Sequence, residues 1–221
     1  MQKFDTCAPI TVVLDIPGGR VRLIAAERGD TTAEVRPAQP GKDRDVQAAE
    51  RTAVAFTDGV LRIVTAAADH QLLGPTGSLE VTVQLPAGSA VRGKAAAAEL
   101  RIVGRLGDVA FDGAYRHTKI DEAASLDLTA VDGDIEVGRL AGPARISTAR
   151  GDIRITEAQR GTVELSTRSG SITVGAAAGV SAALDAGTGH GRIGNALRND
   201  GTTVLDIRAT TSHGDITARS L

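Results

Sequence analysis

Histidine is the side chain best suited to proton transfer or metal binding near neutral pH, and two of the four here sit in matching contexts. His190 directly precedes Gly191, and His213 directly precedes Gly214, the glycines that open two of the Gly-x-Ile units recurring along the chain. The match places the two imidazoles on neighbouring coils at one corner, the best pair for a metal or acid–base role. A two-histidine metal site still needs carboxylate partners, and Asp185 and Asp215 are near only in sequence. His70 and His117 have no such counterpart. Exposed turn histidines explain the pair more simply, so no metal ligand is assigned.

Other patterns also have plainer explanations. Gly189-His190-Gly191-Arg192-Ile193-Gly194 fits the dinucleotide-binding glycine pattern, but that chemistry requires a strand before it and a long helix after it. A loop is expected after Gly194, and the repeat already accounts for Gly191 and Ile193. The pairs Gly107-Asp108, Gly133-Asp134, Gly151-Asp152 and Gly214-Asp215 would line up carboxylates as in calcium-binding β-helices. Ser171 and Arg192 interrupt that row, and Asp beside Gly is ordinary turn chemistry. Thr148, Thr167, Thr188 and Thr211 form a threonine column whose simplest use is local hydrogen bonding rather than ordering water or ice. Cys7 lies near the N-terminus with no base in sight to lower its pKa. No catalytic, cofactor-binding or metal-binding residue is therefore assigned, and no cofactor is expected.

The composition limits the partners. The 221 residues carry 25 basic and 27 acidic side chains, a formal net charge of -2, and the signs are mixed throughout. No basic block marks a nucleic-acid partner. With no Trp, one Tyr and three Phe, stacking on bases or sugar rings is poorly provided for. One cysteine rules out an intramolecular disulfide framework and fits a reducing compartment. There is no apolar leader after Lys3 and no run long enough for a membrane-spanning helix, so a cytoplasmic protein without membrane insertion is expected.

The elements that position these residues are short strands. From Leu126 onward, apolar-x-apolar triplets recur roughly every 9 residues: Leu126/Leu128, Ile135/Val137, Ala144/Ile146, Ile153/Ile155, Val163/Leu165 and Ile172/Val174. Alternate triplets are the more alike, giving a repeat of about 18–19 residues. Two positions beyond each repeat glycine stands Ile135, Ile153, Ile172, Ile193 or Ile216. Stacked as successive coils, the outward positions read Asp127, Arg145, Glu164 and Glu136, Arg154, Thr173, with no like charges adjacent. That favours a single-stranded β-helix or β-solenoid over the alternative, an antiparallel β-sandwich.

The N-terminal part is β-rich without a visible repeat. Strands are expected at Ile10–Ile16, Val21–Ala26, Thr31–Arg36, Val60–Val64 and Leu79–Leu85, with turns at Pro17-Gly18-Gly19 and Asp58-Gly59. A loop is expected at Pro37–Lys42 and a short helix at Asp43–Arg51. The whole chain, 1–221, reads as one domain, with residues 1–90 as N-terminal coils and cap and 91–221 as the repeat solenoid.

Ile10–Ile16, then Leu79–Ser89 with its Val-x-Leu-Pro-x-Gly-Ser stretch, then the copies Gly151–Ile153 and Gly214–Ile216, resemble an actinobacterial β-strand-repeat family. That family is of unknown function and provisionally labelled as adhesins. The resemblance implies a β-helix, right-handed, with no known activity and no functional residues to carry over. An interaction or scaffold module that is not an enzyme is the leading expectation, its partner a protein. An adhesin-like glycan binder or a carbohydrate-active β-helix enzyme is the alternative. The end near Leu205–Leu221 is expected to be the open edge of the solenoid, available for self-association.

Overall fold

A computed structural model describes residues 1–67 and 77–221; His70 lies outside the described residues. In the N-terminal part the strands are β1 (Gln2–Asp5), β2 (Thr11–Ala26), β3 (Asp30–Pro37), β4 (Thr52–Thr57), β5 (Val60–Thr65) and β6 (Leu79–Pro86), with one helix, α1 (Asp43–Glu50). The repeats hold β7 (Ala90–Asp132), β8 (Ile135–Leu140), β9 (Ala144–Arg150), β10 (Ile153–Ala158), β11 (Gly161–Ser169) and β12 (Ile172–Ala176). The last strands are β13 (Ala182–His190), β14 (Ile193–Ala196), β15 (Leu205–His213) and β16 (Ile216–Ser220).

Every pairing between repeat strands is parallel, which excludes the antiparallel sandwich and makes the fold a β-solenoid. Each coil contributes one strand to each of two faces. One face runs β8-β10-β12-β16-β14, and the other runs β9-β11-β15-β13. Inward positions stack in register. Ile135, Ile153, Ile172 and Ile216 follow one another on adjacent strands and are 0–1% exposed. Burying each such side chain contributes about 2 kcal/mol, so a core of small and β-branched residues suffices without large aromatics.

Hydrogen bonding continues through the corners, so some expected strands merge. The turn at Pro17-Gly18-Gly19 is a corner inside β2, and several triplets from Leu100 to Leu128 lie on β7, which is folded back on itself. The hairpin turn at Asp58-Gly59 is as expected, with φ of 51° and 75°. Strands β1 and β4 add to the expected set: β1 is largely exposed, and β4 alternates half-buried and exposed side chains along an almost uniformly apolar run that shows no such period. The N-terminal end mixes in antiparallel pairs, β1 with β3, β3 with β6 and β4 with β5. Across that end α1 packs against β3, β4 and β6. Buried Asp45 on α1 accepts from the backbone N–H groups of Gln39 (3.1 Å) and Ser78 (2.9 Å), fixing the flanking loops.

The stacking order departs from the sequence order at the far end. Strands β15 and β16 lie between the coil of β11–β12 and the coil of β13–β14. The expectation that Leu205–Leu221 forms the open edge is thus corrected: the outermost coil is Ala182–Ala196, and the last strands are slotted beneath it. Ser181 pins the crossover. Its carbonyl accepts from Val204 N (2.9 Å) and Leu205 N (3.2 Å), and its hydroxyl accepts from Asp200 N (3.1 Å).

Three side chains explain this order. Sequence-order stacking would set Glu164 beside Asp185, but the observed register reads Asp127, Arg145, Glu164, Arg208, Asp185, alternating in sign throughout. The inward column Val137, Ile155, Val174, Ala218 ends on Asn195. Sequence order would bury that amide between Val174 and Ala218, at a cost of about 1–3 kcal/mol. At the open end it is exposed and accepts from Leu197 N at 3.0 Å. The third is Arg192, at a corner where other coils carry an acceptor.

Candidate functional site: a charge-laddered face

The corners dispose of most of the candidate motifs. Asp134 Oδ1 accepts from Asp152 N (2.8 Å), Asp152 Oδ1 from Ser171 N (2.7 Å), and Asp215 Oδ1 from Arg192 N (2.8 Å). Ser171 Oγ continues the row by accepting from Asp215 N at 3.3 Å. Each side chain staples the backbone of the next coil, so the aspartates serve the corner as turn chemistry implied. Arg192 ends the row on the outermost coil, where no further N–H needs an acceptor. The threonine hydroxyls turn inward as well: Thr148, Thr167, Thr211 and Thr188 donate to the carbonyls of Arg150, Gly151, Gly170 and Gly214 at 2.9–3.2 Å.

The structure does bring His190 and His213 together, on adjacent strands with rings stacked at 4.8 Å and 3° from parallel. Asp185 lies on the strand opposite Arg208, and Asp215 is engaged with Arg192 N. Among the described residues no three His, Cys, Asp or Glu side chains form a metal-binding group. His117 is exposed, as is Cys7. The glycine pattern from Gly189 to Gly194 spans the β13–β14 corner, and strand β14 follows it where a dinucleotide site needs a helix.

A different region stands out, on the face built by β5, β2, β7, β9 and β11. It holds an open depression of about 890 Å³ lined by Arg62, Arg92, Arg145, Asp108, Asp127 and Glu164, among others. Outward positions of successive parallel strands supply it. Arg145 Nε donates to Glu164 Oε2 at 3.1 Å, and Arg208 approaches Glu164 Oε1 at 3.7 Å from the next rung. Ser125 Oγ donates to Asp108 Oδ1 at 2.6 Å. Elsewhere the ladder principle recurs: Arg139 lies between Glu122 (3.6 Å) and Glu157 (3.5 Å), and Arg20 between Glu80 (2.8 Å) and Glu99 (3.6 Å). The Arg20 guanidinium is held above its ordinary pKa, first by its hydrogen bond to Glu80.

Like Arg22 and Arg154 on other rungs, Arg62 and Arg92 in the depression lack such partners among the described residues. Both stand opposite Val13, one on each side, two rungs apart and so about 10 Å from each other along the stack. Both are exposed, and neither makes an ion pair among the described residues. A guanidinium free of an internal partner presents a planar fork suited to a carboxylate. This pair is not legible in the residue pattern, because the N-terminal part lacks the Gly-x-Ile repeat that sets register elsewhere.

The profile of the Toastrack DUF4097 family matches residues 11–219. The chain belongs to that family. Toastrack DUF4097 names a fold and a sequence group, in keeping with the β-repeat resemblance drawn from the residues. No curated protein matches the chain. Among solved structures, it is similar to a candidate adhesin from Bacteroides fragilis at 14% identity, covering 98% of this chain and 95% of that one, with a TM-score of 0.48. A candidate cell adhesion protein from Clostridium sporogenes is 10% identical, with coverage of 100% and 99% and a TM-score of 0.43. No helix among the described residues is long and apolar enough to cross a membrane.

Proposed function

We propose that this Toastrack chain is an interaction module rather than an enzyme, and that the β5–β2–β7 face receives a protein partner through acidic side chains. The supporting observation is the pair Arg62 and Arg92, both exposed, both without an ion pair among the described residues, and both lining the depression whose other charged groups, Arg145, Asp108, Asp127 and Glu164, include partnered ones. Leaving two guanidinium groups free forgoes ladder stabilisation and keeps two forks available for an incoming carboxylate. In this reading residues 1–90 form the capped start of a single solenoid domain, 91–221 continue it, and the protein acts in the cytoplasm.

The test is affinity capture from native cells, with wild type and the Arg62→Glu/Arg92→Glu double variant side by side. A defined partner retained by the wild type and lost from the variant is the expected result, after both are shown to be folded by circular dichroism. Identical partner sets from both proteins would sink the assignment of this face. Recovery of the untagged protein at the cell surface during the same fractionation would overturn the cytoplasmic reading and favour adhesin-like glycan binding.

A further inference from the structure

The outermost coil is exposed in a way that none of the inner coils is. Ile193 continues the column of Ile135, Ile153, Ile172 and Ile216, yet it is 48% exposed where they are 0–1%. Strand β13 has one strand neighbour, β15, among the described residues, so its other edge offers unpaired backbone N–H and C=O groups. Exposed edges are normally guarded by Lys, Pro or a bulge. Ala182–His190 contains neither Lys nor Pro, and Asp185 is its one acidic side chain. The opposite end differs: α1 lies across β3 and β4 there, and β1 carries Lys3.

From this edge we infer that the chain forms a two-fold dimer in which β13 pairs antiparallel with β13 of a second copy, centred on Ala186. The strand is self-complementary in that register. Asp185 falls opposite Gly187 of the second copy, so no like charges face each other directly, and inward Leu184 meets inward Thr188. A Cβ at Gly187 would touch nothing within 4 Å, leaving room for the second strand's side chains. Because β13 and β14 are the two edges of one and the same open end, each chain has one unguarded end and the assembly closes at two copies instead of growing into a filament. This inference stands apart from the Arg62/Arg92 face, which it leaves free.

Sedimentation equilibrium on the full chain over a concentration series tests it, with two variants that set the register against each other. Wild type is expected to approach twice 22.6 kDa. Gly187→Asp places like charges opposite Asp185 twice over and weakens the dimer by about tenfold. Gly187→Lys places a cation opposite Asp185 and leaves the dimer as tight or tighter. Both variants have open space at residue 187, so their folded monomers keep the wild-type circular dichroism spectrum. A monomer at all concentrations, open-ended growth, or a dimer indifferent to both substitutions would each overturn the inference.

Discussion

Ile172 and Ile193 occupy the same column of the solenoid but differ in what covers them. Ile172 lies between Ile153 and Ile216 and is fully buried, whereas Ile193 has a neighbour on one side only. Truncating Ile172 to Ala therefore removes a packed side chain and opens a cavity, costing about 3 kcal/mol. The same change at Ile193 costs under about 1 kcal/mol, because half of that side chain already faces water. Urea denaturation of the two variants checks the contrast, and equal losses would mean that Ile193 is covered in the folded protein. Glycine 151 shows what the corners demand: its φ is +127°, and a Cβ there would run into the carbonyl of Gly133 on the coil before. The repeat glycine is thus required twice over, by its backbone angle and by the close approach of the neighbouring corner.

Each inner strand of the stack is read by two neighbours, and the charges record which neighbours they are. Arg208 sits between Glu164 and Asp185, so Arg208→Glu would place three acidic rungs in a row. The sites are exposed, and the expected loss is about 1 kcal/mol, shrinking as salt screens the ladder. Thermal melts at low and high ionic strength check both the loss and its salt dependence; a salt-independent loss would point to packing instead. Much at this level was legible in the sequence. The isoleucine and threonine columns and the pairing of Asp127, Arg145 and Glu164 all follow from aligning one glycine per repeat. The stacking order was not, although Asn195 and Arg192 carried the signal: a polar residue in the inward column and a missing acceptor at the corner mark the copy that belongs outermost. Both look like repeat degeneracy until a position in the stack is assigned to them. The Arg62/Arg92 pair stayed hidden for another reason, since β2, β5 and β7 pair across gaps in sequence that no period reveals.

At the scale of the whole molecule, the solenoid has two unlike ends and a face with two unpaired cations. The N-terminal end is built of antiparallel strands with α1 across them, and the far end finishes on a coil that the chain lays down before its own C-terminus. Filling the slot beneath Ala182–Ala196 last means that the final strands add both a buried coil and the support for the outermost one. The edge of β13, the exposure of Ile193 and the alternation of the ladder all depend on that order.

Disulfide trapping tests the order most directly, in a Cys7→Ser background that removes the native thiol. Thr173 faces Thr217 on the adjacent parallel strand, and Thr217 in turn faces Gly194. The neighbouring pair lies within bridging distance, whereas Thr173 and Gly194 are two rungs, or about 10 Å, apart. The expected result is rapid oxidation of the Thr173→Cys/Thr217→Cys variant and none of Thr173→Cys/Gly194→Cys under the same conditions. Oxidation of the second pair instead of the first would show that the coils stack in sequence order, and the inserted C-terminal coil would have to be abandoned.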